Sequence, residues 1–379
     1  MKRINITLFA IMLVAICFSC TRTNLSYTQS GNWVSRATFQ GIAMGAGACF
    51  VVNNQAYVGT GINPLTPNVK LTTMFRYTAA KILPTPYGYD SAYGSWTSVT
   101  DFPGQARSNA VGFSIGGTGY LGGGLANDGF TPLEDYYSFT PGGGWSQIDS
   151  LVDQNGNGHP RYDAVSFSFD TTAFVLTGTD NYNYFGDIYR YSPTTNTWIA
   201  LPGMPGSKRS GAITWVYNNQ GYLVTGYTNG SKWSSGTQCY DFWSFTYKSD
   251  IDTTMWDRKH DIFNTNAATF DDGYTNIIRE HGVGFIELAT PLGDKGYVTL
   301  GSFNGGDVTY TWEYDFLTDI WTEKTPYEGT GRTGAVAFTL NGAGPLQRGF
   351  VATGLNQGST AAYSDCEEFF PQQVYNQYD

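Results

Sequence analysis

Positive charge is scarce in this chain. Of 379 residues only 21 are Lys or Arg, against 31 Asp or Glu, and charged residues of both signs make up 14%. A formal charge of −10 argues against a nucleic-acid binder, which needs cations to displace the counterions of the phosphate backbone. Long stretches of helix formers are also missing, which excludes a helical bundle or coiled coil. No nucleophile elbow, phosphate loop or zinc-ligand spacing is present. Aromatics and turn formers are abundant: Tyr 27, Phe 24, Trp 10, Gly 47 and Pro 15. So many aromatics exclude disorder. The composition reads as short aromatic strands separated by Gly, Asn and Pro turns.

Long apolar runs are equally rare. Residues 8–18 form one, uncharged and preceded by Lys2 and Arg3. It is too short to span a bilayer and reads as a secretory signal peptide. It ends in Ile16, Cys17, Phe18, Ser19 and Cys20. A small residue directly before a Cys, after the apolar region, resembles a bacterial lipoprotein signal. That resemblance implies a signal peptide at 1–19, lipidation of Cys20, a tether at 20–31 and a folded domain at 32–379. Thr21 stands where Asp would retain a lipoprotein at the inner membrane, so the outer membrane is expected, with the lipid as the chain's contact to the bilayer. Removal of the signal leaves 19 basic against 31 acidic side chains, a formal −12. With Cys20 lipidated, Cys49, Cys239 and Cys366 remain, so at most one intrachain disulfide can form.

The rest of the chain is periodic. An aromatic, an aliphatic, two variable residues and Gly recur as YVGTG at 57–61, YLGGG at 120–124, FVLTG at 174–178, YLVTG at 222–226, YVTLG at 297–301 and FVATG at 350–354. Upstream of five of them an Arg opens an alternating stretch: Arg107, Arg161, Arg209, Arg279 and Arg332. The first unit has AMGAG at 43–47 in that place and lacks the Arg. After each Gly comes a loop and a third alternating strand, headed by Asp135, Asp187, Asp241 and Asp365 in four units. A fourth short strand then carries Trp96, Trp145, Trp198, Trp256 or Trp321, spaced by 49, 53, 58 and 65 residues.

Four strands per unit, with the Gly and a late Trp, resemble the kelch repeat, whose period is about fifty. The resemblance covers residues 33 to about 371 and implies an all-β, six-bladed kelch-type β-propeller. The sixth unit runs out after its third strand, and Trp33 near the N-terminus supplies the missing fourth. The expected ring is therefore closed by an N-terminal strand that completes the last blade, leaving few free edges.

Such a fold places function at a channel mouth. The five Arg start the innermost strands, so they are expected to ring one mouth and to offer a focused positive potential to an anionic group. Arg209 and Arg332 stand in the plainest surroundings, Ser-Gly-Ala and Thr-Gly-Ala. Loops 127–130, 182–185, 229–233 and 303–307 share that face and mix aromatics with Asn, Gly and Asp, a composition suited to a glycan or peptide. Asp153, Asn155 and Asn157 match the opening of a calcium loop, but the twelfth position is Ala164 where a bidentate acid is required. His159 and His281 flank Arg161 and Arg279 and are expected near the mouth. Kelch folds include copper radical oxidases resembling galactose oxidase, but their two-His, two-Tyr, Tyr–Cys set cannot be assembled here, so no cofactor is expected.

Two functions remain open. One is a non-enzymatic, monomeric binding propeller of the cell envelope, taking a protein partner or glycan at the mouth. The other is an enzyme similar to the periplasmic kelch mutarotases of sialic acids. For that chemistry Arg279, Glu280 and His281 are the local trio offering a cation, an acid and a base. Strand alternation is expected to turn Glu280 away from its two neighbours.

Overall fold

The structure, a computed structural model, describes residues 30–376 except 66–68, 81–92, 170, 231–233, 236, 264–273, 275, 343–344 and 357–360. The expected signal peptide and most of the tether lie outside the described residues. Six four-stranded antiparallel sheets make up the fold, and no helix occurs among the described residues. Each sheet is a blade whose strands run A to D outward from the axis. Blade 1 comprises Ala48–Val52, Gln55–Gly59, Met74–Thr78 and Ser95–Val99. Blades 2 to 5 repeat this order, with A strands Val111–Ile115, Val165–Ser168, Ile213–Tyr217 and Val283–Glu287. Blade 6 takes A, B and C from Val336–Asn341, Gln347–Ala352 and Cys366–Val374, and D from Ser30–Ser35. Trp33 pairs with Phe369, so the N-terminal strand closes the ring as its sequence position implies.

The repeated aromatics form the walls between blades. In every blade the central aromatic of strand A sits opposite the first aromatic of strand B, as in Phe50 with Tyr57 and Phe285 with Tyr297. These two pairs stack with interplanar angles of 11° and 19°. The outer edge of the strand A ring meets strand B of the next blade. There Gly119, Gly221, Gly296 and Gly349 lie so close to Phe50, Phe167, Trp215 and Phe285 that a Cβ would stand within 2.8 Å of each ring. Glycine is required at these positions by close approach, not by backbone twist.

The recurring order of Arg and Gly has a mechanical cause. The Gly ending each B-strand motif donates its N–H to the carbonyl of the residue opening the next unit. Gly61 donates to Arg107 at 2.8 Å, and the series continues through Gly124, Gly178, Gly226 and Gly301 to Gly354, which donates to Met44 at 2.8 Å. Blade 6 is thus joined to blade 1 by the same bond as every other pair. Inside the ring runs a channel. One end opens into a cavity of about 440 Å³, lined by Ser114, Ser168, Thr214 and Thr339 among others. These hydroxyls bridge neighbouring A strands, as Ser114 Oγ does to Val51 O at 2.6 Å and Thr214 Oγ1 to Ser166 O at 2.9 Å.

Candidate ligand site at the channel mouth

At the opposite end of the channel the backbone turns left-handed two residues after each Arg position. Ala46, Asn109, Asp163, Gly211, His281 and Gly334, one per blade, have φ between 52° and 58°. Each donates its N–H to the carbonyl of its counterpart in the preceding blade, over 2.7–3.2 Å, and Ala46 closes the circle onto Gly334. Gly, Asn, Asp and His tolerate such φ values better than other residues. The six-membered hydrogen-bonded ring over-determines the conformation at each position.

Three side chains of the ring converge. Asn109 Nδ2 donates to Asp163 Oδ1 at 2.5 Å, and His281 Nε2 lies 3.0 Å from Asp163 Oδ2. They line a cavity of about 160 Å³ whose remaining wall is Gly, Ala and Val165. Burial pulls the His281 pKa down, but the Asp163 carboxylate outweighs it and lifts the ring to about 9. His281 is therefore an imidazolium at neutral pH. Burial raises the pKa of Glu280, with the Asp163 charge raising it further and His281 opposing. Tyr184 is pushed up to about 12 by burial, then by Tyr227, Tyr162, Glu280 and Asp163. The rings of Tyr184 and Tyr227 lie 5.7 Å apart, and the Tyr162 hydroxyl donates to Asn181 Oδ1 at 3.1 Å. The mouth is an acidic, hydrogen-bonding floor holding one imidazolium, beside a half-buried tyrosine wall.

Comparison with known proteins agrees with this architecture. The kelch motif matches residues 160–205, the stretch that includes Arg161, Asp163, Asp187 and Trp198. The solved structure of YjhT superposes with a TM-score of 0.61, covering 87% of this chain and 96% of that one at 14% identity. This chain is a six-bladed β-propeller that carries a kelch motif. N-acetylneuraminate epimerase of Shigella sonnei strain Ss046 is 32% identical over 74 residues. That segment is 18% of this chain and spans 20% of the epimerase's length.

The five arginines expected at the mouth do not face the channel. Each is at most 1% exposed, with its guanidinium inside its own blade. Arg107, Arg161 and Arg332 form bidentate pairs with Asp135, Asp187 and Asp365, and Arg209 pairs with Asp241 at 2.5 Å. In all five, one guanidinium nitrogen also caps the carbonyl at the end of strand B, for example Arg209 Nη1 on Thr225 O at 2.9 Å. The expectation of a cationic ring at the mouth is corrected accordingly. Arg209 and Arg332, plain as their sequence surroundings are, each meet an Asp of the same blade. Their place at the start of strand A does not decide where the guanidiniums go, because their partners come from the head of strand C, some thirty residues downstream. The signal was present: Asp heads strand C in four units that carry the Arg, while unit 1 has neither Arg nor Asp. Unit 5 has Arg279 but Tyr310 at the Asp position, and there the guanidinium is held by carbonyls of Leu300, Tyr310 and Asn276. Burial without a counter-charge pulls the Arg279 pKa down.

The trio of Arg279, Glu280 and His281 is therefore divided, though not as strand alternation suggests. The left-handed φ of His281 breaks the alternation: His281 lines the mouth cavity, Glu280 lies near enough to His281 and Asp163 for their charges to act on it, and Arg279 is sealed in the blade. His159 packs against Tyr189 and 3.6 Å from Asp153, not on the ring. The loop of Asp153, Asn155 and Asn157 is closed on itself. The Asp153 carboxylate accepts the N–H groups of Asn155 and Asn157 and the Asn157 amide at 2.8–3.3 Å, which accounts for its low pKa and makes it a polar turn. Of loops 127–130, 182–185, 229–233 and 303–307, residues 231–233 lie outside the described residues. Asn109 and Asp163 were not singled out for the mouth by sequence reasoning. Their signal was the residue type two places after each Arg: Asn, Asp, Gly, His, Gly. Cys49 lines the channel, its thiol pushed up to about 12 by burial, and Cys239 and Cys366 are buried free thiols.

Proposed function

We propose that the protein is a carbohydrate-binding propeller of the bacterial cell envelope, anchored by a lipid on Cys20, with its ligand seated on the mouth formed by Asn109, Asp163 and His281. The carrying observation is the pairing of a fixed polar floor with the Tyr184 and Tyr227 wall. Rings stack on the apolar face of a sugar, and Asp, Asn and His meet its hydroxyls. The propeller is the rigid scaffold and the mouth supplies specificity.

A second reading is supported by the local likeness to N-acetylneuraminate epimerase and by the carboxylates beside a charged imidazole. Glu280 or Asp163 would act as base and His281 as acid in opening and reclosing a sugar ring. Against a sialic-acid substrate stands the fate of the arginines. With all five guanidiniums consumed inside the blades, none of them is left to take the sugar carboxylate.

Glycan-array binding and NMR measurement of anomer exchange in N-acetylneuraminate separate the two. Binding of glycans with no acceleration of exchange is expected. Acceleration that disappears in His281→Ala would replace the binding reading with the enzymatic one. Absence of both would remove the mouth from consideration as a sugar site.

A further inference from the structure

Three neighbouring blades share a device on the mouth face that the floor does not use. In the B–C loop of blade 1, Asn63 Oδ1 accepts the N–H of Leu65 at 2.9 Å. In blade 2, Asp128 Oδ1 accepts that of Phe130 at 2.9 Å. In blade 3, Asp180 Oδ1 accepts that of Tyr182 at 3.0 Å. Each Asx cap holds a tight turn, and each turn points a large apolar side chain into solvent. Leu65 is 73% exposed, Phe130 60% and Tyr182 74%, which puts all three among the most exposed large apolar residues described. The blade 5 loop, by contrast, turns on Asn304, Gly305 and Gly306 and presents no such tip.

The three turns are also fastened to one another. Lys70 of blade 1 donates its N–H to Asn127 Oδ1 at 2.8 Å, and its Nζ donates to Leu125 O and Ala126 O at 2.8 and 2.5 Å. Asn181 of blade 3 donates to Phe130 O at 2.8 Å and accepts from the Tyr162 hydroxyl. That chain of contacts leads from the tyrosine wall outward over blade 3 to blades 2 and 1. Exposed apolar side chains on a pre-organised frame lose little entropy when they bind. An arc built this way serves contact with something longer than the 160 Å³ floor can hold.

We infer that the ligand is a neutral glycan chain of several units, with one unit on the Asn109–Asp163–His281 floor and the following units lying over Tyr182, Phe130 and Leu65. This rests on the mouth being a sugar site. Charge disfavours an anionic chain: Asp128 and Asp180 border the arc as carboxylates, and the ammonium of Lys70 is taken up by carbonyls.

The test uses the full chain in detergent and a glycan array carrying single repeats at one to six units, followed by calorimetry on the best series. Affinity is expected to rise with length beyond two units and then level off. Phe130→Ala and Tyr182→Ala should each weaken the hexamer roughly three- to tenfold and leave the monomer unchanged. Phe130→Tyr and Tyr182→Phe should restore the gain, because stacking needs the ring and not the hydroxyl. Equal affinity for monomer and hexamer overturns the extended site while leaving the mouth as a monosaccharide site. No binding at any length overturns both. Loss of binding to a basic peptide, rather than to glycans, in the two Ala variants would assign the arc to a protein partner and overturn the inference.

Discussion

His281 of blade 5 reaches over blade 4 to meet Asp163 of blade 3, with Nε2 and Oδ2 3.0 Å apart. Gly211, the blade 4 member of the ring, lies beneath the imidazole, and a Cβ there would come within 2.9 Å of it. A position that looks like a simple turn glycine is thus the clearance that lets two blades out of sequence order share a charge pair.

The pair makes stability pH-dependent. The folded pKa of His281, about 9, lies above its usual 6.5. The contribution is fully present below pH 6.5 and is lost as pH rises through 9. The ring is about one-third exposed, so solvent screening reduces the contribution to about 1–2 kcal/mol. NMR titration of His281 should show a midpoint near 9, falling toward 6.5 in Asp163→Asn. Gly211→Ala should lower it too, by displacing the imidazole. A midpoint unmoved by either change would mean that the pair does not form in solution.

The buried Arg–Asp pairs should differ in cost. Arg209 and Asp241 are both fully buried, whereas Asp187 is 35% exposed. Asp241→Ala strands a charge in the core and is expected to cost about 3–5 kcal/mol. Asp187→Ala should cost less, because water can reach Arg161. The double change Arg209→Met with Asp241→Thr reproduces what unit 1 already has in Met44 and Thr73, and should recover part of the loss. Chemical denaturation of the four proteins tests this order; a double variant no better than Asp241→Ala alone would refute it.

Closure rests on Trp33. Its ring packs against Tyr327 and Phe369 at 5.0 and 4.8 Å and is 1% exposed. Trp33→Ala is expected to cost about 3–5 kcal/mol. Deleting the chain through residue 36 should abolish cooperative melting and cause aggregation through the exposed edge of Cys366–Val374. Unchanged melting after deletion would show that the fourth strand of blade 6 is dispensable.

Localisation is tested by Cys20→Ser. If the lipid anchors the chain, the variant moves from the membrane to the soluble periplasmic fraction with its melting temperature unchanged. Membrane association that persists in the variant would rule out the lipid as the anchor.

Much of the fold was legible in the sequence because its cause is local and repeated. Alternation in each short strand, a Gly wherever a neighbouring ring or backbone approaches, and a Trp in each outer strand depend on contacts that recur in register. The six-unit count follows from the six recurring Gly motifs, and the N-terminal strand's place in the last blade from Trp33 standing where the sixth unit lacks a strand. The direction of the arginines was not legible from strand phase, because it is set by partners on a different strand of the same blade. The Asp heading strand C was visible, but its pairing with Arg was not drawn.

The mouth was decided by tertiary structure alone. Asn109, Asp163 and His281 hold the same place in three separate units, two residues after the Arg, but nothing along the chain says that their side chains meet. They meet because the hydrogen-bonded ring forces a left-handed turn at the same place in each blade, and because Gly211 leaves room between two of them. A repeat specifies its own blade through neighbours in sequence; a site on the axis is assembled from one residue per blade, and its chemistry exists only once the ring is closed.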